Sequence, residues 1–201
     1  MTRATTIPEL EQLRSRPRRL LAVFSHPDDE AYGAAGTLRR AARDDDTAVV
    51  LVCLTSGEAS TVMKRQGLDR DQIRELREQR MREIAELLDL DGLVLPRLPD
   101  GGLAQLPFDD LTAPVRAAVD AFEPQVVIVQ DARGINGHAD HIATHWAVRD
   151  ALRARDDVRL ALVVYPPDVA DATERLLFPT PIEQMDALVR LSDGEIDVKQ
   201  R

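Results

Sequence analysis

Residues 20–42, LLAVFSHPDDEAYGAAGTLRRAA, decide how the rest of the chain is read. LLAVFS (20–25) is a short continuous apolar run, the pattern of a strand buried on both faces. Ala31, Ala34, Ala35, Leu38, Ala41 and Ala42 then recur at helical spacing, so the stretch reads as strand, polar turn, helix. The turn, SHPDDE (25–30), places a histidine, a proline and three acids directly behind the strand.

The same unit repeats in type along the chain. TAVVLVCLT (47–55), LVLP (93–96), QVVIVQ (125–130) and VRLALVVY (158–165) are further apolar strands. Between them fall helical patterns: one over about 69–89, with Ile73, Leu76, Ile84, Leu87 and Leu88 on one face; one from Asp109 to just before Pro124; and one over about 138–155. Strands without a polar face, alternating with amphipathic helices, predict an α/β, Rossmann-like fold: a mostly parallel sheet with helices on both faces. The whole chain, 1–201, reads as a single domain with its core in 20–165. Residues 166–201 lose the rhythm, carry four prolines, and either wrap the sheet edge or contribute to a site.

Composition narrows the function. The chain has 201 residues, 44% of them hydrophobic, enough for a sizeable core. Lys and Arg number 26 against 35 Asp and Glu, a net charge of −9, and no basic block tracks a phosphate backbone, which argues against nucleic acid. No apolar run approaches a membrane span. The single cysteine, Cys53, sits in an apolar strand as a buried inert thiol; with no apolar leader at the N-terminus, a cytoplasmic protein is expected.

Ligands of open parallel sheets bind beyond the carboxyl ends of the strands. Two polar clusters fall there: SHPDDE after the first strand and DARGINGHADH (131–141) after the fourth. Together they hold His26, Asp28, Asp29, Glu30, His138, Asp140 and His141, in a chain with four histidines. Each cluster alone is ordinary as an acidic helix start or a glycine-shaped turn. Jointly they supply a divalent-metal set, because a catalytic zinc takes three nitrogen or oxygen ligands and keeps a position for water, whose proton a spare carboxylate can remove. His145 lies on the same helical face as His138, roughly 10 Å along the axis, and reads with Trp146 as a packing residue.

SHPDDE and GHADH, in that order, resemble the two signatures of the PIG-L, or LmbE-like, family of zinc-dependent deacetylases acting on N-acetylglucosaminyl conjugates. The resemblance also takes in TSGEA (55–59), the helix carrying Arg77, and LPDGGL (98–103). It implies that His26, Asp29 and His141 hold zinc and that Asp28 is the general base. It implies too that His138 stabilises the oxyanion or protonates the leaving amine, that Asp140 orients and tunes it, and that Arg77 and Asp100 serve substrate binding. The same donors suit Fe2+ or Co2+.

Three departures from the family pattern stand out. Arg80 replaces a customary acid, Asp89 replaces a glycine, and the chain is expected to be short of the C-terminal segment that helps close the site. A homo-oligomer could supply that edge. The implied activity is removal of an N-acetyl group from a small amino-sugar conjugate by metal-activated water. A slow sugar-conjugate binding protein and a metal-dependent amidase of a non-sugar substrate share the same residues.

Overall fold

A computed structural model describes residues 3–173 and 176–200, without the side chains of Val198 and Gln200; Arg201, the last residue of the tail, lies outside them. Five strands form one sheet: β1 (Arg18–Phe24), β2 (Thr47–Cys53), β3 (Gly92–Val94), β4 (Val126–Gln130) and β5 (Arg159–Val163). The order is β3-β2-β1-β4-β5 and every pairing is parallel. All seven residues of β2 are buried, which is why its sequence carries no polar alternation.

Alternate residues feed two cores. Leu21, Val23, Val50, Val52, Val127 and Val129 face α5 (Phe108–Phe122) and α7 (Ala139–Ala151), which supply Val115, Val119, Phe122 and Val148. Ala22, Phe24, Val49, Leu51 and Ile128 face α2 (Ala35–Ala42) and α4 (Arg70–Leu87), which supply Leu38, Met81 and Ala85. The sheet is therefore covered on both sides as expected. The chain winds outward from β1 to β3 on one side and from β4 to β5 on the other, so the strand order reverses between β1 and β4. A ligand crevice belongs at that reversal.

Several elements differ from the sequence reading. The first helix is split into α1 (Asp29–Gly33) and α2. A Cβ on Gly33 would sit 2.4 Å from Val163 Cγ1, so the break falls where the helix packs tightly on β5. On α4 the buried positions are Ile73, Glu78, Met81 and Ala85, whereas Leu76, Ile84 and Leu87 are half-buried. The stripe is thus rotated from the expected one, and Arg77 turns inward. Helix α4 opens on a capping box, with Asp69 accepting from the Gln72 N–H and the Gln72 side chain accepting from that of Asp69. It closes with Asp89 at φ 55, the left-handed position usually held by glycine. Strand β5 is an edge strand and only partly covered.

The tail holds more order than its prolines suggest: α8 (Pro167–Asp171), a 3-10 turn at Ile182–Gln184 and α9 (Asp193–Gln200). It wraps back onto α2. Glu195 accepts two hydrogen bonds from Arg40, at 2.7 and 2.8 Å, and Leu191 fills the notch over Gly36, where a Cβ would lie 2.2 Å from its Cδ2. The loop after β2 carries α3 (Thr61–Arg65) and α6 (Gly134–Gly137) follows β4. No helix among the described residues is long and apolar enough to cross a membrane.

Candidate metal centre and active site

The turns after β1 and β4 stand side by side at the carboxyl edge of the sheet, and a buried hydrogen bond of 2.8 Å between Ser25 Oγ and Thr144 Oγ1 ties them together. In the first turn the His26 N–H donates to Asp29 Oδ2 at 2.9 Å, and the Asp29 N–H donates to the His26 carbonyl at 3.3 Å. Asp28 takes φ 108, ψ −21, a conformation that costs a non-glycine residue on the order of 1–3 kcal/mol. That twist separates two adjacent acids: the Asp29 side chain is 9% exposed and that of Asp28 56%.

Arg77 holds the strained turn from outside. Its guanidinium donates to the Pro27 carbonyl and lies 3.4 Å from Asp28 Oδ2. The arginine reaches this position because residue 57 is glycine at φ +68; a Cβ there would lie 2.4 Å from Arg77 Nε. Glu30 is fully buried and accepts from the Asp28 N–H at 3.2 Å, anchoring the turn from inside. Its other oxygen has no hydrogen-bond partner, and burial pushes its pKa up to about 7. Burial, with the neighbouring Asp29 charge, also raises Asp28 above the usual carboxylate range, although Arg77 and His26 pull the other way. Burial opposes the charge of Asp29 as well, but the hydrogen bond and charge of His141 and the nearby His26 hold it below that range.

The second turn is shaped by backbone. Gly134 at φ 63 lies so close to α7 that a Cβ would meet Ile142 Cγ1 at 2.9 Å, and Gly137 takes φ 81. Ile135 between them is forced to φ 67, a strained conformation for a β-branched residue. Its N–H donates to Asp131 Oδ1 at 2.9 Å and its carbonyl accepts from the Phe178 N–H at 2.7 Å. Arg133 pairs with Asp131 and also donates to the Phe178 and Pro179 carbonyls and Thr180 Oγ1. The tail therefore contributes to the site's wall as well as to the sheet edge. His138 caps α7, with Nδ1 accepting the Asp140 N–H at 3.2 Å.

Two ring nitrogens and both oxygens of the Asp29 carboxylate converge where the turns meet. His26 Nδ1 is 3.2 Å from His141 Nε2, His141 Nε2 is 3.2 Å from Asp29 Oδ1, and His26 Nδ1 is 3.6 Å from Asp29 Oδ2. Metal–donor bonds of about 2.0–2.1 Å in a tetrahedron space the donors about 3.3 Å apart, which these distances match. The other ring nitrogens fix the tautomers: His26 Nε2 faces Asp140 Oδ2 at 3.1 Å and Asp100 Oδ1 at 3.3 Å, and His141 Nδ1 faces the Gly134 carbonyl at 3.2 Å. Each partner is an acceptor, so those nitrogens carry the protons. Two lone pairs and a carboxylate are left pointing at one another, a set that a cation satisfies, with the outer hydrogen bonds usual for metal-ligating histidines.

His138 stacks on His141 with ring centroids 4.6 Å apart, and a nitrogen of it lies within 4.8 Å of donor atoms of His26 and His141. His26, Asp100 and Asp140 form a second close group on the far side of the His26 ring. Those carboxylates are already engaged by backbone donors: Asp140 by the N–H groups of Gly101 and Leu103, Asp100 by that of Ala59. The Asp140 carboxylate thus lies on His26, while His138 receives its backbone N–H and feels its negative charge. Burial disfavours a charged His26, yet Asp140, Asp29 and Asp100 more than offset it and raise its pKa. The same negative field favours a divalent cation. Burial, then the charges of His141 and His26, lower the pKa of His138.

Other residues support this arrangement without having stood out in the sequence. Glu58, in the quoted TSGEA, is buried and accepts from the Asp100 N–H and Arg70; Ser56 donates to the buried Glu78, which also receives Arg97. Arg77 and Asp100, expected at the substrate side, are both turned toward the first loop. His145 donates through Nδ1 to the Gln130 carbonyl and stays in the core, while Trp146 is 48% exposed under Arg149 instead of packed. Cys53 is buried, and burial raises its thiol well above the usual value.

Comparison with known proteins agrees with this architecture. The chain is 32% identical over 144 residues to a mycothiol S-conjugate amidase of Streptomyces coelicolor, covering 63% of this chain and 49% of the relative. It is 30% identical over 216 residues to a 1D-myo-inositol 2-acetamido-2-deoxy-alpha-D-glucopyranoside deacetylase of Kineococcus radiotolerans, covering 93% of this chain and 59% of the relative. The chain thus spans between about half and three-fifths of the length of these relatives. The solved N,N'-diacetylchitobiose deacetylase of Pyrococcus horikoshii shares the fold, with a TM-score of 0.67 at 16% identity over 96% of this chain and 73% of that one. The family described as GlcNAc-PI de-N-acetylase, PIG-L, matches residues 21–152, and the chain belongs to that family.

Proposed function

We propose that the protein is a zinc-dependent hydrolase that removes the N-acetyl group of an amino-sugar conjugate. The observation that carries this reading is the convergence of His26 Nδ1, Asp29 and His141 Nε2 at tetrahedral spacing, between an outward carboxylate and an exposed imidazole. The names of the relatives, an amidase and deacetylases of glucosamine conjugates, support the substrate class.

His26, Asp29 and His141 would hold the ion. When bound, zinc lowers the pKa of a coordinated water and polarises an acyl oxygen; Fe2+ or Co2+ would offer the same Lewis acidity. Asp28, whose pKa is raised by burial, accepts the proton of the attacking water. His138 accepts at Nδ1, so its Nε2 carries the proton and can hydrogen-bond the developing oxyanion without giving that proton up, while the proton taken by Asp28 passes on to the leaving nitrogen. Arg77 fixes the Asp28 carboxylate and the Pro27 carbonyl, and Asp100 and Asp140 fix the His26 ring, so these three act by positioning. The products are acetate and the free amine.

The test is free-amine release from a panel of N-acetylglucosamine conjugates and N-acetyl amino acids, with metal analysis of protein purified without chelators. Protein that binds no zinc or comparable ion, or that releases no amine from any sugar conjugate, overturns the reading. Turnover confined to the amino acids selects an amidase of non-sugar substrates.

A further inference from the structure

Glu58 is a buried acid for which the proposed hydrolysis has no use. Burying a carboxyl group costs stability unless its oxygens are paired. Here only one is: Oε1 accepts from the Asp100 N–H and from Arg70 Nη2, each at 3.2 Å, while Oε2 has no hydrogen-bond partner among the described residues. The place of Glu58 in the molecule follows from what Oε1 holds.

The chain segments after β2 and β3 run side by side, joined by the Leu98 N–H to the Leu54 carbonyl at 2.8 Å. They end in a reciprocal lock. Glu58 Oε1 takes the Asp100 N–H, and Asp100 Oδ2 takes the Ala59 N–H at 2.6 Å. With its main chain and one oxygen so held, Asp100 brings its other oxygen, Oδ1, to 3.3 Å from His26 Nε2. The next residue, Gly101, takes φ 75, and a Cβ there would meet nothing nearer than the Ala59 Cβ at 3.9 Å, so packing at this turn does little to keep Asp100 in register. On the far side the Gly101 and Leu103 N–H groups go to Asp140, whose Oδ2 lies 3.1 Å from the same ring nitrogen. The His26 Nε2–H thus sits between two carboxylates, and the lock at Glu58 sets one of them.

We infer that Glu58 is a positioning residue of the metal centre: it touches neither ion nor substrate, and acts through Asp100 on the Nε2–H of His26. The inference rests on the metal-hydrolase reading in taking His26 Nδ1 as a ligand, and extends it to a residue one step removed from that ring. A carboxylate beside the outer N–H of a ligating histidine fixes the ring and raises the basicity of the nitrogen on the metal. With Glu58 removed, Asp140 still holds the ring and Asp100 no longer does. Glutamine at this position differs. It keeps an oxygen for the Asp100 N–H, and its amide nitrogen takes the place of the unpartnered Oε2, so the lock stays closed.

The experiment measures zinc affinity by competition with a chelating dye, and water exchange of the His26 Nε2–H by NMR on the zinc-loaded chain. Glu58→Ala should lower the affinity about tenfold, the lower end of the range for losing a partner behind a ligating histidine, because Asp140 remains. The ring proton should exchange faster. Glu58→Gln should restore both. In an Asp100→Ala background, Glu58→Ala should change the affinity by less than about twofold, since the route is already cut. Should Glu58→Ala fail to fold, Glu58→Asp keeps the charge, withdraws the acceptor by one methylene, and should weaken zinc binding in the same way. Wild-type affinity or ring-proton exchange in a folded Ala or Asp variant, a Gln variant as weak as the Ala one, or an equal loss in the Asp100→Ala background each overturn the assignment. A wild-type chain that binds zinc and releases no amine overturns the deacetylase and leaves Glu58 its role; one that binds no zinc overturns both.

Discussion

The two turns that meet at the candidate metal centre are built on opposite plans. The turn after β1 is short, and its side chains fix one another: Asp29 holds His26, Glu30 holds the Asp28 N–H, and Arg77 clamps the outside. The turn after β4 is longer, leaves His138 exposed, and is held by the main chain, two glycines and a strap from the tail through Arg133 and Phe178. One half is therefore rigid by its own composition; the other takes its shape from a segment forty residues downstream. Donor atoms come from both, so the centre forms only if each plan succeeds.

The largest expected effect breaks the first half at its chemistry and leaves its shape alone. Asp28→Asn keeps the size of the side chain and tolerates the positive φ at this position. Amine release should fall by about 10²–10⁴-fold, the range for loss of a general base, while metal content stays at the wild-type level. Loss of metal together with activity would assign Asp28 to the ligand set. The second prediction joins the halves. Asp140→Asn weakens the acceptor for the His26 Nε2–H and keeps an oxygen for only one of the two backbone donors, Leu103 N–H at Oδ1 or Gly101 N–H at Oδ2. Metal affinity, measured by competition with a chelating dye, should drop about 10–100-fold, as when the carboxylate behind a ligating histidine is removed.

The same contrast explains what the sequence disclosed. The apolar runs marked all five strands, because a parallel sheet covered on both faces leaves its strands no polar positions. The donor residues were visible because His26, Asp28 and Asp29 follow one strand and His138, Asp140 and His141 another, at positions where this sheet type binds ligands. The rest depends on contacts distant in sequence. Leu191 in the notch of Gly36 and Glu195 on Arg40 lie about 155 positions apart in the chain, so the tail looked irregular. The inward face of α4 was misplaced because periodicity counted leucines and isoleucines, whereas the wall needed Met81, Ala85 and a bent-in Arg77. GHADH showed an acid beside His138, but that its carboxylate serves His26 follows only from the two loops meeting. Asp89 at φ 55 is a substitution whose backbone requirement the family pattern did signal.

The third prediction loosens the strap. Arg133→Ala removes donors to the Phe178 and Pro179 carbonyls and to Thr180. At an exposed position this should lower the opening free energy of the strap by about 1–2 kcal/mol, so that amide exchange at Phe178 and Thr180 quickens roughly 5- to 30-fold. Amine release should fall by less than in Asp28→Asn, because His138 remains present though less constrained. Exchange unchanged at both amides would show that Ile135 and Tyr165 hold this segment without Arg133.

The smallest effect concerns the far end of the same tail and separates it from the centre by pH. The hydrogen bond from Arg40, helped by the Ser192 N–H and hydroxyl, lowers the pKa of Glu195 to about 2 from the 4.5 of an unrestrained glutamate. A carboxylate depressed on folding stabilises the folded form fully above its unfolded pKa and loses that contribution as pH falls toward the folded one. The anchoring of α9 on α2 should therefore be intact at pH 6 and weaken between about pH 4.5 and 2, with Arg40 charged throughout. Glu195→Gln has no such titration, so the wild-type advantage in α9 amide protection should shrink steadily across that window. Asp29 and Asp140, also depressed, are common to both proteins and cancel in the difference. Arg40 is half-exposed but Glu195 is buried, so raising the salt should narrow the advantage at pH 6 only in part.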